Sequence, residues 1–160
     1  MATVQGVAGQ RAVTKATVLV VDDERAVLEL LRLHLENDGY TVIAAADAVI
    51  GGKALVERAA EIDLLILDAK LPYMSGIEFA SALIADTTLP PIPMILITGH
   101  EDLADRAVVL DVPCLMKPFS ADRLLELVEK TLARTPKQAA AALKQDGIGR
   151  LVSDFGGTRR

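Results

Sequence analysis

Tryptophan is absent, Cys114 is the single cysteine, and three Phe with two Tyr bring the aromatic share to only 3%. One thiol excludes an internal disulfide framework and a zinc site built on several cysteines. So few rings also argue against the base-stacking platform of a single-strand nucleic-acid binder. An excess of basic residues is missing too. The 17 Lys and Arg stand against 22 Asp and Glu, for a net charge of −5. Nucleic-acid binding ordinarily needs the opposite balance, so no nucleic acid is expected as a partner. No apolar run reaches the roughly 18 residues that span a bilayer, and no membrane association is expected. Residues 1–16 carry no apolar signal segment and read as a disordered lead-in, which makes the expected location cytoplasmic.

What remains is a chain of 160 residues, 51% hydrophobic and 24% charged. That is enough for one globular domain, with a core built from Leu, Ile, Val and Ala. Short continuous apolar runs alternate with helical periodicity. Thr17 to Val21, Tyr40 to Ala44, Leu64 to Leu67, Met94 to Ile97 and Val112 to Met116 read as strands. Runs of this kind, apolar without alternation, suit a parallel sheet covered on both faces. Between them, Val27, Leu28, Leu31 and Leu35 recur at helical spacing up to a stop at Gly39. Further helices are predicted from Asp47 towards Ala60, from Ile77 to Ala85, from Glu101 to Leu110, and after a Ser120 cap. Five strands alternating with five helices imply an α/β domain with right-handed crossovers.

Ligand sites in such sheets lie beyond the carboxyl ends of the strands. The strand ends here are Asp22-Asp23, Asp68, Thr98 and Lys117-Pro118. Taken singly, each acid reads as a helix cap, Lys117 as a surface lysine and Thr98 as a turn residue. Taken together, they bring acids, a hydroxyl and an ammonium to one rim. Clustered carboxylates repel one another unless a cation joins them, and oxygen ligands suit a hard ion such as Mg²⁺. A lysine and a hydroxyl beside that ion would neutralise and bind phosphoryl oxygens, and a carboxylate can itself be the nucleophile. Asp68, ending the central strand, is the best candidate for that role.

The ordered set Val21-Asp22-Asp23, Leu67-Asp68 with Leu71-Pro72 and Gly76, Ile97-Thr98-Gly99-His100, and Lys117-Pro118-Phe119 resembles the receiver domain of two-component response regulators. The resemblance runs from about Thr17 to Ala133. It implies a flavodoxin-like (βα)5 three-layer sandwich whose parallel sheet has strand order 2-1-3-4-5. It further implies that Asp68 accepts a phosphoryl group from a sensor histidine kinase or a histidine phosphotransfer protein. Mg²⁺ would be bound by Asp23, Asp68 and the backbone carbonyl of Lys70, with help from Asp22. Lys117 would contact the phosphoryl group, Thr98 would respond to it, and the peptide before Pro118 would be cis.

Four features depart from the family pattern. Cys114 stands where a Tyr or Phe commonly forms the rotating switch. The segment of residues 99–116 is short. Leu110-Asp111-Val112-Pro113 replaces the common Gly-Ala before the last strand. Lys70 and His100 occupy the positions two after Asp68 and Thr98, which tune dephosphorylation in the family.

The expected organisation is a lead-in at 1–16, the receiver at 17–134 and a short tail at 135–160 too small for an output domain. Output would then be a contact with an unidentified downstream protein, altered through the 98–117 face. Self-phosphorylation and self-dephosphorylation would be its only chemistry, and the chain would not be an enzyme. The alternatives are a non-phosphorylated receiver used for docking and an Asp-nucleophile Mg²⁺ phosphatase. The latter's Asp-x-Asp pattern is broken by Glu24. His34 reads as a boundary residue, and Met94 and Met116 read as core. Gly51-Gly52 lacks the Lys-Ser/Thr that completes a phosphate loop. Asp154-Phe155-Gly156 has no accompanying kinase element.

Overall fold

The computed structural model describes residues 14–134. The tail at 135–160 and all but the last three residues of the lead-in fall outside them. Two of those three are held: the Lys15 N–H donates to the Gly39 carbonyl, and the Thr41 N–H to that of Ala16.

Five strands and five helices alternate along the chain: β1 (Thr17–Val21), α1 (Arg25–Asn37), β2 (Thr41–Ala45), α2 (Ala48–Arg58), β3 (Leu64–Asp68), α3 (Gly76–Ala85), β4 (Met94–Thr98), α4 (Glu101–Val109), β5 (Cys114–Met116) and α5 (Ala121–Ala133). The strands form one sheet in the order β2-β1-β3-β4-β5. All four pairings are parallel. This is the flavodoxin-like (βα)5 arrangement that the family resemblance implies.

Strand side chains alternate in direction, yet both faces are covered, which is why the strands read as unbroken apolar runs. Val18, Val20, Leu64, Ile66, Ile95 and Ile97 pack with Leu31 and Leu35 of α1 and Leu124 and Val128 of α5. Leu19, Val21, Leu65, Leu67 and Leu96 pack with Leu55 of α2, Ile77, Phe79 and Ala80 of α3, and Ala107 of α4. Gly51 allows α2 to close on the sheet, since a Cβ there would stand 2.8 Å from a Val21 methyl. The first α2 turn is capped by Asp47, whose carboxylate accepts from the Ile50 N–H at 2.8 Å.

Three local expectations are corrected. The fifth strand starts at Cys114 and not at Val112. Pro113 has no N–H, and the Val112 N–H is bound to the Ala107 carbonyl, so neither can donate to β4. Met116 is exposed at the end of this edge strand and is not core. Neither Asp22 nor Asp23 caps α1: Glu24 is the cap position, without a side-chain cap bond.

Candidate functional site

The carboxyl ends of β1, β3, β4 and β5 lie side by side, and the residues at those ends meet there. Asp22 and Asp68 are buried at 1% and 5% exposure, and Thr98 is buried beside them on β4. Lys117, just past β5, reaches back across the rim. Its Nζ lies 3.3 Å from Asp22 Oδ2, 3.4 Å from Asp68 Oδ2 and 3.8 Å from Glu24 Oε1. The Lys117 backbone is itself tied to β4, its N–H donating to the Thr98 carbonyl at 2.8 Å. The Lys117–Pro118 peptide is cis.

Each acid is also fixed by a local turn. Asp22 Oδ1 accepts from the Glu24 N–H at 2.8 Å, and Asp68 Oδ1 accepts from the Lys70 N–H at 3.1 Å. Thr98 repeats the pattern, its Oγ1 accepting from the His100 N–H at 3.0 Å. These two-residue side-chain turns are what Asp and Thr do at the exit of a strand. They also leave Asp22 Oδ2 and Asp68 Oδ2 turned towards the lysine.

Electrostatics follow from burial. Loss of solvent raises the Asp22 carboxyl to about 6, with the Asp68 charge adding to the rise; the Glu24 N–H and Lys117 oppose it. Burial works against the Lys117 ammonium as well. The charges of Asp68 and Asp22 outweigh that, so its pKa stands above the ordinary lysine value. Two acids and one base in a partly buried site thus leave one negative charge more than Lys117 can neutralise.

Carboxylate oxygens of Asp22, Glu24 and Asp68 all lie within 4.8 Å of one another. Three hard anionic donors converging at that spacing fit a divalent cation of the Mg²⁺ class. Glu24 was not singled out as a site residue by the sequence reading, although it completes the acidic run after β1. Asp23 is exposed and stands outside this converging group, but lines the same cleft. The cleft has a volume of about 470 Å³, and Lys70, Pro72, Gly99 and His100 contribute to its walls. Cys114 is half-buried, packs against the core on the α4 side of the sheet, and has its thiol pKa raised by burial. Among the described residues no helix is long and apolar enough to cross a membrane.

The chain is similar in sequence and fold to known proteins. The family model described as response regulator receiver domain matches residues 18–129. The chain is 37% identical over 142 residues to response regulator MprA of Mycobacterium ulcerans, covering 86% of this chain. It is 32% identical over 136 residues to the phosphate regulon transcriptional regulatory protein PhoB of Pseudomonas aeruginosa, covering 82% of this chain. It spans 58% of the length of each of these two relatives. Among solved structures, a response regulator receiver domain protein from Clostridium thermocellum superposes with a TM-score of 0.67 at 30% identity, covering 74% of this chain and 95% of that one. The chemotaxis response regulator CheY4 of Vibrio cholerae gives 0.63 at 28% identity, covering 72% and 98%.

Proposed function

Because the chain belongs to the response regulator receiver domain family, we propose that Asp68 is its phosphoacceptor and that a phosphohistidine protein is the donor. One observation carries the reading: Lys117 bridges Asp22 and Asp68 at the carboxyl edge of the sheet, with a third carboxylate converging on them. An acid that served only as a helix cap would not draw a lysine from the far end of the chain.

The chemistry of these residues is as follows. An Asp68 carboxylate oxygen attacks phosphorus and forms a C–O–P linkage. The P–N bond to the donor imidazole breaks, its electron pair stays on that nitrogen, and the imidazole takes up a proton. Lys117 turns its ammonium from the acids to the incoming phosphoryl oxygens, and the Thr98 hydroxyl donates to one of them. Transfer of this kind rests on positioning and charge neutralisation, so a pre-set lysine and hydroxyl lower the barrier before contact. Asp22, Glu24 and Asp68 would hold Mg²⁺, with Asp23 and the Lys70 carbonyl completing the set. The ion, when bound, neutralises the phosphoryl oxygens and offsets the excess negative charge. A change at Asp68 alters a protein contact through the 98–117 face. The reaction is with the protein's own side chain, and the role is signalling.

Intact-mass measurement after incubation with acetyl phosphate and Mg²⁺ tests this. The expected gain is one phosphoryl group, lost in Asp68→Asn, which is nearly isosteric, and abolished by a chelator. A stable acyl-phosphate mass on Asp68→Asn overturns the assignment.

A further inference from the structure

Helix α2 carries two features that the packing of the domain does not use. Val49 and Val56 stand two turns apart on its outer face, 80% and 71% exposed. Gly52 lies between them. Its neighbour Gly51 is required, because a Cβ there would strike Val21. A Cβ at Gly52 would meet nothing closer than the Phe79 ring edge at 3.7 Å, an ordinary contact. Glycine weakens a helix interior, and here the weakening brings no closer packing within the domain. It leaves a strip of bare backbone between two exposed valines.

Lys53 completes this face. Its Nζ stands 3.8 Å from Glu57 Oε1, and both side chains are exposed. The other i,i+4 ion pairs among the described residues close to between 2.7 and 3.0 Å. The Lys53–Glu57 pair is thus the loosest of its kind, and neither charge is committed to the other.

The pattern is symmetric about its midpoint. Val49 and Val56 are equidistant from the point between Gly52 and Lys53. A two-fold axis through that point, normal to the plane of two antiparallel copies of α2, sets Val49 against the partner's Val56 at both ends. It also lays the Lys53 stem over the partner's Gly52. Lys53 and Glu57 lie to one side of the line joining the valines, and this axis keeps them on one side in both copies. Helical side chains lean towards the N-terminus of their helix. In antiparallel helices Lys53 and the partner's Glu57 therefore lean towards each other. The face matches itself in shape, in apolarity and in charge.

We propose that the outer face of α2 is a self-association surface, whose occupant is a second copy of this chain bound antiparallel across Gly52. At 11 residues α2 is about 16 Å long. One helix pair of that length belongs to the weak, transient class of interfaces, below about 1,200 Å². The surface is separate from the 98–117 face, since α2 packs on β1 and β2 whereas α4 packs on β4 and β5. Association through α2 is therefore independent of phosphorylation, and the proposal does not rest on the phosphoacceptor reading of Asp68.

Sedimentation equilibrium of the full chain, in reducing buffer so that Cys114 stays a thiol, tests this. The unmodified chain should form dimers with a dissociation constant on the order of 10–100 µM, unchanged by beryllofluoride. Val49→Asp and Val56→Asp each bury a charge against a valine and should weaken association at least about tenfold. Lys53→Glu and Glu57→Lys should each weaken it too, because each sets like charges against one another across the axis. Mixed in equal amounts, those last two variants should dimerise more tightly than either does alone, since opposite charges then meet. A chain that stays monomeric up to about 1 mM overturns the proposal. So does a dimer that neither valine variant weakens, or one that forms only with beryllofluoride, which would place the contact on the 98–117 face. A charge-variant mixture no tighter than its components overturns the antiparallel pairing on which the proposal is built.

Discussion

Gly76 lies so close to Asp68 that a Cβ at position 76 would collide with the Asp68 backbone carbonyl oxygen and stand 2.8 Å from the Ala69 Cα. The chain leaves β3 at Asp68, makes the Leu71–Ser75 loop and returns across its own backbone to begin α3. Only the smallest residue permits that crossing.

Gly76→Ala is therefore expected to lose about 2–3 kcal/mol of stability, the upper part of the range for forcing bulk into a packed site. The neighbouring atoms are backbone and cannot swing aside. A denaturant titration followed by circular dichroism measures the loss. A change under about 0.5 kcal/mol, the level of an ordinary surface substitution, would show that the loop relaxes freely.

The buried acid pair makes a pH prediction for the metal-free protein. Burial raises the native Asp22 carboxyl from 3.8 to about 6. Between those values the native state binds more protons at this site than the unfolded chain does. Its contribution to stability is thus fully present below pH 3.8 and is lost as pH rises through about 6. Asp22→Asn keeps an acceptor for the Glu24 N–H and has no proton to lose. In buffer with a chelator, the variant should gain on the unmodified protein as pH rises from about 4 to 7, by on the order of 2 kcal/mol. A pH-independent difference between the two would mean that Asp22 titrates like a solvated carboxylate.

Strand β3 was legible because five consecutive buried residues, Leu64 to Asp68, produce a run that no amphipathic helix imitates. The acids and Lys117 were legible through the topological rule that puts strand ends on one rim. Glu24 was not, because its nearness to Lys117 depends on how the turn after β1 folds. Met116 was misread for a related reason: a strand residue is covered only if a helix lies over it, and that is a tertiary fact. The same limit applies to the two ends that most resemble each other. After α1, the Gly39 N–H donates to the Glu36 carbonyl and the Tyr40 N–H to that of Leu35. After α4, the Asp111 N–H donates to Val108 and the Val112 N–H to Ala107 in the same pattern. Gly39 announces its left-handed turn at φ +92°, whereas Asp111 occupies one at φ +56° without a glycine to signal it.

Asp111→Gly should accordingly stabilise the domain. A non-glycine residue in the left-handed region costs about 1–2 kcal/mol, and glycine's greater freedom when unfolded returns part of that. The net gain expected is about 0.5–1 kcal/mol, read as a higher denaturant midpoint at unchanged slope. A lower midpoint would show that the Asp111 side chain makes a stabilising contact that outweighs its backbone strain.

The last prediction concerns what phosphorylation of Asp68, as proposed, would do to its surroundings. Thr98 is buried at the end of β4, and its hydroxyl oxygen now accepts from the His100 N–H. A phosphoryl group on Asp68 adds strong acceptors nearby and should turn the Thr98 hydroxyl towards them as a donor. That rotation releases the His100 N–H, which belongs to the cap residue of α4. An aromatic ring at position 114 could fill the space that Thr98 leaves, but Cys114 is too small and is already packed against the core below α4. The motion should pass instead to the connection between β4 and α4, and then to α4 as a helix shift. Hydrogen exchange with and without beryllofluoride, a phosphoryl mimic, measures it. Protection should change mainly between Thr98 and Val112, and Cys114→Ala should leave that change largely intact. If the mimic binds and this segment stays silent, or if Cys114→Ala abolishes the response, the relay does not run through the freed α4 cap.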